Sequence, residues 1–161
     1  MKKTLTGLAL AAASLFACAA DDIASFSGGI GSQPFASVNG GVVPNDVNGV
    51  LPGGRPWVID KLQATVDAGG GIHVQGKGLV LAGGNNVGRP AIPRQVAATL
   101  FCGTVPSTSA PADVDANGDF LIRSALAPTP ATPCASPVLL IRNFANGAAG
   151  AWFAAGIPVN D

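Results

Sequence analysis

The chain contains no glutamate and no tyrosine, a single histidine (His73), and charged side chains at only 11%, against about 25% in an average domain. Each shortage removes a class of answer. Without Glu, and with few Lys, the chain lacks two of the favoured residues of helix surfaces. One His and the cysteines offer too few good ligands for a zinc centre. A catalytic triad needs the His beside a Ser and an Asp, and the chain contains no G-x-S-x-G elbow. An excess of positive charge is also missing. Without Lys2 and Lys3, seven basic side chains face nine acidic ones, a net of −2, so no electrostatic footprint for nucleic acid exists. After residue 17 no apolar run is long enough to span a bilayer as a helix.

What the chain does have is punctuation. Twenty-two Gly and thirteen Pro interrupt it every few residues, the composition of an all-β domain of short strands. The first residues are different. Lys2 and Lys3 precede an apolar or small run from Leu5 to Ala17, the pattern of a signal peptide over 1–20. Cutting before Cys18 leaves a cysteine for lipidation, since Leu15 and Ala17 fit the lipoprotein rule. Cutting after Ala19 or Ala20 releases a soluble chain, the reading favoured here because Ile23 and Phe26 follow without a polar tether. Either route removes Cys18 from thiol chemistry. Cys102 and Cys134 then form an even pair, and in an oxidising compartment the default is a disulfide. It closes about 33 residues, worth roughly 3.5 kcal/mol in the chain-entropy account.

Residues 21–54, rich in Gly, Ser, Asn and Pro, read as a partly irregular N-terminal arm laid over a domain spanning 55–161, in which Val42-Val43 and Val50-Leu51 could add an edge strand. Patterned sequence begins at Trp57. Leu62, Ala64 and Val66 alternate with Lys61, Gln63 and Thr65, a half-buried strand. Ile72 and Val74 continue the alternation beyond a Gly turn, and a bulge at Gly76 and Gly78 is expected to restore the phase of Leu79 and Leu81. "QVAATLFC" (95–102) is a further strand, Asn117-Gly118 marks a hairpin, and the prolines of "APTPATPCASP" exclude a central strand there. "VLLIRNF" (138–144) is continuously apolar before Arg142, as in a strand covered on both faces. In "AWFAAGI" (151–157) Trp152 and Phe153 point to opposite faces, so one is core and the other is either covered by the arm, the reading favoured here, or partly exposed and able to stack on a sugar or a partner. Six or seven short strands at this spacing suggest a Greek-key β-sandwich, with a small closed β-barrel as the alternative.

Motifs that carry chemistry are few. "GIHVQGK" (71–77) opens like a phosphate-binding loop, but Gly78 stands where Ser or Thr must bind Mg²⁺, and the segment lies within a strand. In "DVDANGD", Asp113, Asp115, Asn117 and Asp119 offer alternating oxygens as in a calcium loop, while Ser124 occupies the position of the bidentate Glu. A turn explains the same residues, so no metal is favoured. All nine carboxylates are Asp, several in turn sequences, where Asp is expected anyway. His73 shares a strand face with Gln75 and Lys77, a solvated face by default. The Gly83–Arg94 loop, with Asn85, Asn86 and Arg89, is the candidate ligand surface, because long loops on rigid sheets tend to carry function.

"GGIG", "GRPWVI", "GLVLAGGN", "ATLFCG", "NGDF", "PCASPVLLIR" and "WFAAGIP" together resemble a family of small exported bacterial proteins of unknown function, from about Gly28 to Pro158. The resemblance implies one intact domain and two matching cysteines, Cys102 and Cys134, and it brings no ligand. "DANGDFLI" is also similar to a turn of prealbumin-like and carboxypeptidase-regulatory-like sandwiches. The expectation is an exported protein, periplasmic or secreted, without cofactor or catalytic residue. It binds or supports an unknown partner at the envelope or outside the cell, and touches a membrane only if Cys18 is lipidated. The alternatives are an Asp-dependent hydrolase acting on glycans and a calcium-stabilised envelope module.

Overall fold

The structure is a computed structural model that describes residues 21–91 and 95–159. The expected signal peptide, Cys18, and the Arg94 end of the candidate loop lie outside the described residues. Among those residues the chain is all-β. Its strands are β1 (Asp22–Gly31), β2 (Phe35–Val38), β3 (Gly41–Pro44), β4 (Trp57–Val58), β5 (Lys61–Asp67), β6 (Gly71–Lys77) and β7 (Val80–Leu81). Then come β8 (Gln95–Cys102), β9 (Val105–Thr108), β10 (Ala112–Asp113), β11 (Phe120–Ala125), β12 (Val138–Ala145) and β13 (Ala148–Pro158). No helix among the described residues is long and apolar enough to cross a membrane.

Nine strands form one antiparallel sheet in the order β10-β8-β12-β13-β1-β5-β6-β11, with β9 paired to β8. The sheet curls into a half-barrel. The hydrogen bonds follow one continuous path, so they do not describe the two separate sheets of the expected sandwich. Past the end of β11, Ala127 exchanges two backbone hydrogen bonds of 2.9 Å with Thr108 of β9, bringing the two ends of the path together. The core lies inside the curl. Leu62, Ala64 and Val66 of β5 meet Ile72 and Val74 of β6, Leu100 of β8, and Leu139 and Ile141 of β12. The alternation expected for β5 and β6 is present, with inward residues buried and Lys61, Gln63, His73, Gln75 and Lys77 exposed.

In three places the structure departs from the sequence expectation. First, part of the expected arm is sheet. Strand β1 pairs with β13 on one side and β5 on the other, with Ala24 and Phe26 buried. Its large apolar residues are sparse and two glycines interrupt it, so the period-2 signal was weak. The neighbouring segment holds two Asn-Gly turns. Asn39-Gly40 joins β2 to β3, and Asn48-Gly49 joins Val47 to Val50, each pair with positive φ at both residues, as a two-residue hairpin turn requires.

Second, Gly76 within β6 and Gly78 just after it do not form a bulge. Gly76 pairs with Phe120 of β11, and the Phe120 ring occupies the space that a Cβ would need. Gly78, with φ of +65°, ends the strand, and β7 then pairs with β4 in a separate two-stranded sheet.

Third, Asn117-Gly118 does not close a hairpin between β10 and β11, which share no ladder: β10 pairs with β8 and β11 with β6. The turn itself is tight. Asp115 and Asp119 flank a three-residue loop in which Gly118 has φ of +84°.

The outer face of β8, β12 and β13 carries a second cluster, Phe101, Leu140 and Trp152, with Val47 and Val50 packed against it. This places the continuous apolar run of β12 between two layers, as its sequence implied. A register shift in the pairing of β12 with β13 separates Ile141↔Ala154 from Arg142↔Trp152. It lets Phe153 join Ala154 in the inner core while Trp152 turns outward.

Candidate functional site

A three-residue turn is built on Asp115. One carboxylate oxygen accepts from the backbone N–H of Asn117 at 2.8 Å and of Asp119 at 2.9 Å. These bonds, that of Asp119 first, hold its carboxyl below the usual aspartate range. Two other aspartates of the calcium-like run each hold a separate partner. Asp113 accepts from the Gln95 amide at 3.0 Å, and Asp119 accepts from the Gly78 N–H at 3.0 Å. No group of three or more His, Cys, Asp or Glu suited to a metal occurs among the described residues. One oxygen each of Asp113, Asp115 and Asp119 thus staples a turn or a strand. Because the folded carboxyl is the stronger acid, the stabilisation of the Asp115 turn is present above the unfolded value of about 3.9. It is lost as pH falls through the depressed folded value. An NMR titration is expected to show an Asp115 inflection below that of an ordinary aspartate. An inflection at or above it contradicts the role given to these bonds.

His73 lies on the outer face of β6, opposite Thr65 of β5 and Arg123 of β11. A shallow open depression there also contains Asp22, Asp67 and Ser124. Asp67 accepts from the N–H groups of Gly69 and Gly71 at 2.8 and 2.9 Å, which shapes the β5–β6 turn. Ser124 donates to the Ala125 carbonyl. Both groups thus serve local structure.

Aromatic and basic groups converge on one cleft. Segment 53–57 forms one wall of a cleft of about 720 Å³ and the loop after β7 forms the other. Trp57 and Phe153 stack with ring centroids 4.0 Å apart and an interplanar angle of 22°, and both line the cleft with Leu81. Arg55 enters from the first wall, and Asn86 and Arg89 from the second. The lining includes no carboxylate among the described residues. Of the loop residues singled out in the sequence, Asn86 and Arg89 reach the cleft, while exposed Asn85 is not part of its lining. Arg55, Trp57 and Phe153 were not legible as partners of that loop, since they lie far from it along the chain.

The loop is pinned at its base. Leu81 donates to the Arg89 carbonyl at 3.0 Å, and Gly88 donates to the Leu81 carbonyl at 2.8 Å. Ala82 donates to the Pro56 carbonyl at 2.8 Å, tying the two walls together. Gly53 is the other fixed point. Its N–H donates to the Trp152 carbonyl at 2.9 Å, and a Cβ there would lie 2.7 Å from Trp57 Nε1 and 3.1 Å from the Phe153 ring. Gly53→Ala is expected to disturb the aromatic stack and cost about 1–3 kcal/mol, the usual penalty of overpacking. Urea unfolding followed by Trp fluorescence checks this, and an unchanged midpoint contradicts it.

Among the described residues the other basic groups lie elsewhere. Arg142, half-buried on the outer face, donates to the carbonyls of Gly150 and Ala149 at 2.7 and 2.8 Å. Burial lowers its pKa, and a guanidinium stays charged regardless. The Cα atoms of Cys102 and Cys134 are 4.8 Å apart and the pair is at disulfide distance, compatible with an oxidising compartment. No protein-family model, curated protein or solved structure matches the chain.

Proposed function

We propose that the protein is an exported, non-catalytic module with a binding role at the cell envelope or outside the cell, and that its ligand enters the cleft between segment 53–57 and the loop after β7. The single observation that supports this reading is the composition of that cleft. Two exposed arginines and an amide surround an apolar floor on a hydrogen-bonded frame, within the usual size range of ligand pockets. Export rests on the signal-like N-terminus and on the cysteine pair. A non-catalytic role is favoured because the aspartates with assigned hydrogen bonds, Asp67, Asp113, Asp115 and Asp119, hold turns and strands in place. The same commitments weigh against the calcium-stabilised module and the Asp-dependent hydrolase.

Immobilised protein incubated with an envelope extract tests the reading. The wild type is expected to retain a component that an Asn86→Ala/Arg89→Ala variant of equal melting temperature releases. Equal retention by both removes the cleft as the ligand surface.

A further inference from the structure

We infer that the cleft takes an acidic saccharide, a hydroxylated sugar ring bearing a carboxylate. The inference rests on the binding reading above and adds the ligand's chemistry. Charge supplies the first argument. Arg55 and Arg89 reach one cleft from two different segments, and no carboxylate lines it among the described residues. Lys61 and Lys77 lie along another surface, Arg123 on the His73 face, and Arg142 on backbone carbonyls. The chain after the signal has a net charge of −2. The attraction for an anion is therefore local and does not come from a general positive field. Guanidinium forks match the planar, two-oxygen geometry of a carboxylate.

The body of the ligand follows from what the aromatics do not offer. Trp57 and Phe153 are 5% and 7% exposed and stack on each other. They provide an apolar floor but no open ring face, so a flat aromatic anion would find little to stack on. Asn86 offers both a donor and an acceptor, which suits neighbouring hydroxyls. Pro90 and Ala91, both half-buried, add apolar surface for the C–H side of a sugar ring. A small apolar floor with a few convergent polar groups is the ordinary composition of a small-molecule site.

Calorimetric titration of the full exported chain at low ionic strength decides the matter. The probes are a short oligogalacturonate, galacturonate itself, a neutral galacto-oligosaccharide and acetate. The acidic sugars are expected to bind at least about tenfold more tightly than the neutral one, a difference of about 1.4 kcal/mol. Arg55→Gln and Arg89→Gln should each remove most of that advantage, while Arg123→Gln, on another face, should not. Oligomer and monomer binding alike identifies a single-ring site. Tighter oligomer binding identifies a polymer as the source, and both support the inference. Equal binding of neutral and acidic sugars, lost in Asn86→Ala, overturns the acidic class and leaves the cleft reading standing. Acetate binding as well as galacturonate overturns the sugar. Binding that survives both arginine substitutions, or no binding by any probe, overturns the inference as a whole.

Discussion

Trp152→Ala is expected to destabilise the protein by about 3–5 kcal/mol, the range for truncating a buried Trp. Trp152 is 4% exposed, on the outer face of the half-barrel, packed with Phe101 and Leu140 beneath Val47 and Val50. The indole N–H donates to the Asn45 carbonyl at 3.1 Å. Backbone geometry explains why it matters beyond its area. Strand β1 leaves β13 after Gly31 meets Ala154. The segment around Pro52 takes the vacated place: Trp152 donates to the Leu51 carbonyl and accepts from Gly53, at 3.0 and 2.9 Å. The ring therefore anchors the stretch 45–53, which ends at the first wall of the cleft. Hydrogen exchange should accelerate across that stretch in the alanine variant, together with the shift in urea midpoint. Trp152→Phe keeps most of the packing and loses the bond to Asn45, so about 1 kcal/mol is expected. An alanine variant within 1 kcal/mol of wild type would show that this face is not held by the indole.

Removal of the Cys102–Cys134 bond is the second large effect, expected at roughly 3.5 kcal/mol from the loop it closes. The residues are 32 apart in sequence. Cys102 ends β8, and Cys134 sits in the proline-rich stretch that returns the chain to β12. That stretch has few other anchors. Gly103 donates to the Ala135 carbonyl at 2.9 Å, and Cys134 is packed into the inner core. A Cys102→Ala/Cys134→Ala variant and the reduced wild type should both unfold at lower urea concentration, with similar shifts. If reduction leaves the midpoint unchanged, or native protein isolated without reductant reacts at both thiols, the bond contributes nothing to the fold.

The two effects mark the line between what was legible and what was not. The cysteine pair was readable because counting suffices once one cysteine is removed. The alternation of β5 and β6 was readable because one face meets the core and the other meets water, and a period of two follows directly. The continuous run of β12 announced a strand covered twice, and the cover proved to be Val47 and Val50. By contrast, the sequence reads as arm over β1, although that strand lies in the sheet between β13 and β5. Its neighbours supply most of the apolar surface there, so Ala24 and Phe26 suffice. The Asn-Gly pairs at 39–40 and 48–49 were strong local signals hidden by their glycine-rich setting. At 117–118 the same dipeptide formed a three-residue loop, because Asp115 accepts the N–H of Asp119 and sets the loop length.

The cleft divides in the same way. Asn86 and Arg89 could be suspected from a long loop alone. Arg55, Trp57 and Phe153 could not, since their meeting depends on β13 carrying Phe153 inward past a register shift and on Gly53 lying close against the rings. Composition and periodicity by themselves determined the β class, the inward faces of the regular strands and the cysteine pairing, because these depend on local geometry and on counting. Tertiary structure alone decided the strand order, the curl into one sheet and the partners of the loop. Those depend on hydrogen bonds and ring contacts between residues that the chain keeps far apart.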